Sequence, residues 1–385
     1  MKTAAIICEY NPFHLGHQKQ FRLIRKQLGE ETAIVCLMSG NYVQRGEPAI
    51  FSPGLRARAA VTAGANLVLE LPITASLSSA EGFAQKGIEV LNSLGMIDYL
   101  SYGCETKQFQ ALECTARLLC SSEFDEKIKE GLHDGDSYAS LRQRVLERMG
   151  GNGALLEAPN NILAVEYCKA LFKTDSQIAS MPIQRVGDYH SLQLDRLNPS
   201  ACALREWIPS QEWLDYIPEE IRSIFENAPV HRLGYGEKAI LSRLKAMEEW
   251  DYAGLPFGSE GLWRRLMHEA YAAATLDDLI TAVKTKRYAR SRIVRMILCA
   301  YLGIGQMEMD MQIPYVRLLS FDETGRQLLR TIKRTGKISL VHPGERTYGA
   351  YAQLEQRADR LYSLFSEAPC RTKEKAAVFL PRAGD

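Results

Sequence analysis

An α/β fold, built on a doubly wound parallel sheet and followed by a mostly helical C-terminal domain, is what this sequence predicts. Three observations carry the prediction. The first half alternates short apolar, β-rich runs with amphipathic stretches, the pattern of parallel strands covered by crossover helices. Beyond about Trp207 the strand signal fades, and Pro209 to Asp385 is rich in Leu, Arg, Glu and Ala at helical spacing. The 385 residues exceed one small core and suit two domains, drawn here at residues 1–207 and 208–385.

The opening Met-Lys-Thr-Ala-Ala-Ile-Ile-Cys-Glu meets the charge of Glu9 long before a signal-peptide core would be complete, so it reads as a first strand, Thr3 to Cys8. Further strands are expected over Thr32 to Met38, Asn66 to Leu71, Ile97 to Tyr102 and Gln177 to Val186. Helices are expected between them, over Gly16 to Leu28, Pro53 to Ala63, Ser79 to Leu94, Gln108 to Cys120 and Asn161 to Leu171. Ser122 to Gly153 is charged and helical in period, closed by Gly-Gly-Asn-Gly, and reads as a helical insertion or cover. Crossovers of this kind put their loops at the carboxyl ends of the strands, where open sheets bind ligands.

Bulk properties exclude several classes. With 47 basic against 46 acidic residues, no global field marks a nucleic-acid or membrane-surface protein, so such a partner must meet a local patch. No apolar run approaches the ~18–20 residues of a membrane-spanning helix, and nothing marks a stable protein partner. The nine cysteines are scattered, with neither a Cys-x-x-Cys pair nor zinc-ligand spacing. An odd, unpatterned set reads as reduced thiols of a cytoplasmic protein, and no metal ligands are assigned.

Chemistry concentrates after the first strand. Cys8-Glu9-Tyr10-Asn11-Pro12-Phe13-His14-Leu15-Gly16-His17 runs directly into a helical pattern. A strand, loop and helix of this kind offers backbone N–H groups and a positive dipole end to an anion. Gly16 lets a phosphate approach the backbone, and His14 and His17, three apart on the first turn, can both donate to phosphate oxygens. That suits adenylyl transfer, which asks for positioning and for stabilising charge on departing pyrophosphate. The blander alternative is that both histidines merely cap and pack.

The loop H-L-G-H resembles the signature of the nucleotidyltransferase and class I aminoacyl-tRNA synthetase superfamily. Together with E-Y-N-P-F-H-L-G-H at Glu9 to His17, S-G-N-Y-V-Q-R-G-E-P-A at Ser39 to Ala49, L-V-L-E-L-P at Leu67 to Pro72 and Y-G-C-E at Tyr102 to Glu105, it is similar to the bacterial tRNA(Met) cytidine acetate ligases. The resemblance implies a nucleotidyltransferase-like ATP-binding domain and a tRNA-binding second domain. It implies that acetate and ATP give acetyl-adenylate and pyrophosphate, that the acetyl group passes to N4 of the wobble cytidine of elongator tRNA(Met), and that acetyl-CoA is not used. His14 and His17 are then catalytic. ATP contacts fall by resemblance on Ile7, Cys8, Glu9, Tyr10, Asn11, Pro12, Phe13, His14, Leu15, Gly16, His17, Gln18, Lys19 and Gln20, on Gly103, on Asn161, on Arg185 and Val186, and on Ser200 and Arg205 of a second signature. Mg²⁺ is expected to arrive with the nucleotide. The residues alone agree in part: Arg185 and Arg205 are forked cations suited to phosphate, while Asn161 taken alone would more often be an N-cap.

Gln44-Arg45-Gly46-Glu47-Pro48 is expected over the active site, with Arg56 and Arg58 of the following helix within reach of phosphates. The sequence departs from the family at Pro53, where a Lys is common, and at Gln20, where a His is frequent. In the second half, Lys284, Lys286, Arg287, Arg290 and Arg292 form a dense basic run with Tyr288 among them, ahead of an apolar helix over Met296 to Leu302. The run is expected to neutralise tRNA phosphates and offer a stacking surface. Arg326, Arg330, Lys333, Arg334 and Lys337 are expected to extend that footprint. Two other readings remain at this stage: adenylyl transfer to a small phosphomonoester, whose enzymes are typically much shorter, and a non-catalytic RNA-binding adaptor.

Overall fold

The structure, a computed structural model, describes residues 1–131, 138–185, 195, 199–342, 344–367 and 378–380. All five expected strands form: β1 (Thr3–Cys8), β2 (Ala33–Ser39), β5 (Leu67–Leu71), β6 (Tyr99–Cys104) and β7 (Ala179–Gln184), with a small antiparallel pair, β3 (Tyr42–Val43) and β4 (Glu47–Pro48), after β2. Every residue of β1, β2 and β5 is buried, which is why these strands read as unbroken apolar runs instead of alternating ones.

Strands β5, β2, β1, β6 and β7 are neighbours in that order and parallel. Helices α1 (Leu15–Leu28) and α2 (Pro53–Thr62) cover one face, where Phe21, Ile24, Ala57 and Ala60 meet Ile6, Ile34 and Cys36. Helices α3 (Ala80–Leu94) and α4 (Pro159–Lys173) cover the other, where Phe83, Ile88, Leu91 and Val165 meet Ile7, Val35 and Leu69. The sheet is doubly wound as expected, with its order reversing between β1 and β6. After Ser200 follow α5 (Ala201–Trp207), several short helices and α6 (Arg290–Leu302), whose apolar face forms the centre of a separate helical core.

The second half is mostly helical, as expected, and it also adds strands to the sheet. The chain returns to the sheet as β8 (Tyr315–Phe321), antiparallel to β5, and β9 (Ser339–Val341) and β10 (Val378–Phe379) pair with β8. Arg317 in mid-strand hid β8 from the sequence pattern. Its charge is matched by Glu70 of β5 at 2.7 Å and by Asp359 at 2.6 Å and Glu355 at 3.7 Å from α8 (Ala350–Tyr362). Helix α7 (Glu323–Thr335) then crosses the sheet's far edge, Asp322 N–H donating to Asn66 just before β5 and Lys337 N–H donating to Ser93.

The eight described cysteines are free thiols, and Cys370 lies outside the described residues. Among the described residues, no helix is long and apolar enough to cross a membrane.

Candidate active site

His14 is the N-cap of α1: its Nδ1 accepts the Gly16 N–H at 3.1 Å, and its own backbone N–H donates to His17 Nδ1 at 3.2 Å. The two rings stack with centroids 3.7 Å apart. Burial drives the His14 pKa down to about 3, helped by the Arg185 charge, and burial, His14 and Arg185 together hold His17 well below its ordinary 6.5. Both rings are therefore neutral near pH 7, and because each Nδ1 accepts, each proton sits on Nε2. Capping and phosphate binding are thus not alternatives. The cap selects the tautomer that makes Nε2–H a donor.

Packing beneath the loop fixes these rings. Tyr10 takes a positive φ of 46° and buries its ring 4.8 Å from both Phe13 and His17. Gly16 has no latitude, because a Cβ there would lie 2.9 Å from His14 Cε1.

A cavity of about 300 Å³ opens at the carboxyl ends of the strands. Ile7, Cys8, Glu9, Tyr10, Asn11, His14, Gly16, His17, Lys19 and Gln20 of the first loop line it, as do Gly103, Arg185, Ser200 and Arg205. Four other residues of that loop do not: Phe13 is core, Gln18 donates to Glu220 at 2.7 Å, and Pro12 and Leu15 stand outside the lining. Gln20, one of the family departures, donates to Ser101 Oγ at 3.2 Å. Val186 lies outside the described residues.

Asn161 is placed differently from its neighbour. Its Oδ1 accepts the N–H groups of Glu105 (2.8 Å) and Thr106 (3.1 Å), and it is Asn160 that lines the cavity, accepting from Arg185 at 3.3 Å. The Glu105 carboxylate in turn accepts the N–H groups of Asn160 and Asn161, an anion at the start of α4 that favours the helix dipole. Asn160 and Asn161 both sit in the first turn of α4, and the cap geometry alone separates the one that lines the cavity from the one that ties β6 to the helix.

The polar hairpin does sit over the site, with Val43, Gln44, Arg45 and Glu47 in the cavity wall. Gly46, at φ 85°, packs where a Cβ would meet the Arg295 backbone nitrogen at 2.6 Å, and Arg295 donates to the Gln44 carbonyl at 3.2 Å. The hairpin is thereby wedged against α6. Burial pushes the Glu9 carboxyl up, against the pull of the Gln44 N–H bond and of Arg205, Arg45 and Arg56. From the second signature, Ser200 caps α5 by accepting Ala203 N–H at 3.1 Å. Arg205 donates to the Asn11 carbonyl at 2.8 Å, tying α5 to the first loop.

Arg56 does not reach for phosphates. It is fully buried, donating to the carbonyls of Phe51 (2.9 Å), Ser39 (3.0 Å), Glu9 and Gly40, so it binds the ends of β1 and β2 together. Arg58 is exposed and away from the cavity. Arg56→Met is expected to cost on the order of 3 kcal/mol or more, since it strands several buried carbonyls that had a charged donor; urea unfolding with a loss below about 1 kcal/mol would contradict that role.

The basic run divides. Lys284, Lys286, Arg287 and Arg290 are exposed. Arg292 is consumed by structure, donating to the carbonyls of Phe257 (2.9 Å) and Ser259 (3.1 Å), to Ser259 Oγ and to Glu260. Tyr288 is buried with its hydroxyl on the Glu260 carbonyl at 2.6 Å, so the expected stacking surface is absent there. The exposed cations lead into α6, which abuts the cavity hairpin. The second cluster, on and after α7, lies at the amino ends of the strands, opposite the cavity, and does not extend this footprint. Among the described residues, no group of three or more His, Cys, Asp or Glu side chains is arranged to hold a metal ion.

Comparison with known proteins shows the family. The family described as HIGH Nucleotidyl Transferase matches residues 1–377. A tRNA(Met) cytidine acetate ligase of Acetivibrio thermocellus is 32% identical over 366 residues, covering 89% of this chain and 88% of its own length. That of Clostridium novyi is 32% identical over 396 residues, covering 96% of each. The crystal structure of Thermotoga maritima TmcAL without ligand superposes with a TM-score of 0.90 at 27% identity over 99% of this chain and 100% of that one. The same protein bound with alpha-thio ATP gives 0.88 with the same coverage.

Proposed function

This chain belongs to the HIGH nucleotidyl transferases and, within them, to the tRNA(Met) cytidine acetate ligases, and from that premise we propose that it activates acetate with ATP and transfers the acetyl group to N4 of the wobble cytidine of elongator tRNA(Met). It is an ATP-dependent ligase that acts in tRNA modification. In the proposed first step an acetate oxygen attacks the α-phosphorus of ATP and pyrophosphate leaves. In the second, the cytidine amine attacks the acetyl carbonyl, AMP leaves, and the amine proton goes to solvent.

The observation that carries this reading is the pair of histidines at the start of α1, each with Nδ1 accepting a backbone N–H, within a cavity that Arg185 and Arg205 also line. Donors fixed before the reaction stabilise charge as it develops on pyrophosphate without reorganisation. Two carboxylates, Glu9 and Glu47, line the cavity, too few to form a cage, so a Mg²⁺ ion would be held mainly by phosphate oxygens and water. The exposed run from Lys284 to Arg290, which leads into the helix abutting the hairpin, supports the tRNA half of the proposal, and a tRNA substrate supports a cytoplasmic location. ATP–pyrophosphate exchange that depends on acetate, followed by mass analysis of tRNA(Met) for an acetylated cytidine, tests both steps. Exchange with a small phosphomonoester in place of acetate would overturn the reading.

Arg185→Ala is expected to weaken ATP binding roughly 10- to 100-fold, the loss of a charge-assisted hydrogen bond. Calorimetric titration with ATP checks it, and unchanged affinity would remove Arg185 from the nucleotide site.

A further inference from the structure

We propose that Arg45, carried by the β3–β4 hairpin, binds the carboxylate of the acid substrate, with Val43 forming the wall that keeps that acid short. The proposal rests on reading the chain as an acid-activating ligase.

Topology divides the cavity into two flanks. The nucleotide crevice of a doubly wound sheet lies where strand order reverses, here between β1 and β6. The His14 loop follows β1, and Gly103 with Arg185 closes the β6 and β7 side. The hairpin stands on the opposite flank of β1, above β2, and contributes Val43, Gln44 and Arg45 to the same cavity. An acid that attacks the α-phosphorus must enter beside the nucleotide, and the hairpin flank offers it a cation.

Charge and shape fit a carboxylate there. Arg45 Nη1 and Arg205 Nη2 each lie 3.2 Å from the Cys202 sulfur, so two guanidiniums converge on one point of the cavity wall. Cations gathered this closely are stabilised by an added anion. Arg205 is tied to the phosphate loop through Asn11, whereas Arg45 comes from a separate element. In this proposal Arg205, tied to the phosphate loop, serves the nucleotide, and Arg45, on the hairpin flank, serves the acid. A planar guanidinium takes a carboxylate through two parallel hydrogen bonds, which an ammonium cannot reproduce. Val43, nearly fully buried one residue before Gln44, presents an apolar surface to this part of the cavity.

The test is acetate-dependent ATP–pyrophosphate exchange without tRNA, with ATP affinity measured by calorimetry on the same preparations. In Arg45→Gln the KM for acetate should rise roughly 30-fold or more, the effect of removing one partner of a desolvated charge pair, while ATP affinity stays within about twofold of wild type. Arg45→Lys, which keeps the charge and lost only the fork, should bind ATP normally and show a smaller rise in acetate KM. In Val43→Ala the ratio of kcat/KM for propionate over acetate should increase roughly tenfold. Weakened ATP binding with an unchanged acetate KM would assign Arg45 to the triphosphate and overturn the proposal. An unchanged acetate KM in both Arg45 variants would overturn it too. Wild-type protein that binds ATP but exchanges with no acid would instead sink the ligase reading, and the acid site with it.

Discussion

Replacing His14 or His17 is expected to slow acetate-dependent ATP–pyrophosphate exchange on the order of 10²- to 10³-fold, the cost of losing one preorganised donor to developing charge. The two roles of His14 can be separated. His14→Ala loses both the N-cap acceptor and the Nε2 donor, so it should also lose about 1 kcal/mol of stability. His14→Asn keeps an acceptor for the Gly16 N–H and should recover that stability without recovering rate. The pH dependence follows from burial. In the folded chain His14 stays neutral down to about 3, whereas unfolded it takes up a proton below 6.5. The unfolded state therefore binds more protons in that window, so the histidine contribution to stability is complete above 6.5 and is lost as pH falls towards 3. Exchange should accordingly show no limb from these rings between pH 6 and 8. An acidic limb near pH 6.5 that disappears in His14→Asn would mean the rings titrate, and the donor assignment would fail.

How much of this was legible in the sequence depends on whether a residue's pattern reports its own surroundings. The strands β1, β2 and β5 announced themselves because burial on both faces demands an unbroken apolar run. Strand β8 did not, because Arg317 interrupts its pattern and is compensated by carboxylates 247 and 42 positions away in the chain, which no local window contains. The same limit applies at the site. His-x-Gly-His is local, and its residues fall within one turn of helix. Arg56 and Arg45 sit eleven positions apart around the same loops and look alike in sequence. One is swallowed by four carbonyls and the other faces the cavity, a difference set by the ends of β1 and β2. Arg292 and Tyr288 were likewise counted with the exposed cations, since nothing in the run itself reveals that the turn at Phe257 to Glu260 folds over them.

Neutralising Lys284, Lys286, Arg287 and Arg290 together is expected to abolish acetyl transfer to tRNA while leaving acetate activation nearly unchanged. All four are exposed and outside the cavity lining, so the chemistry of the first step has no contact to lose. Arg292 is left intact because its substitution would release the turn at Phe257 to Glu260 and confuse lost binding with lost structure. The position of the run makes the expectation specific. It leads into α6, the helix whose Arg295 donates to the hairpin that walls the cavity. Each phosphate contact removed should flatten the dependence of log affinity on log salt by about 0.7 to 0.9, and four together by about 3. The measurement is an anisotropy titration of tRNA(Met) at several salt concentrations, with pyrophosphate exchange assayed on the same protein. A wild-type slope and affinity in the quadruple variant would reduce the run to a solvated surface and move the RNA contact to other faces around the cavity mouth. A parallel loss of exchange would show instead that the two steps are not separable at this surface.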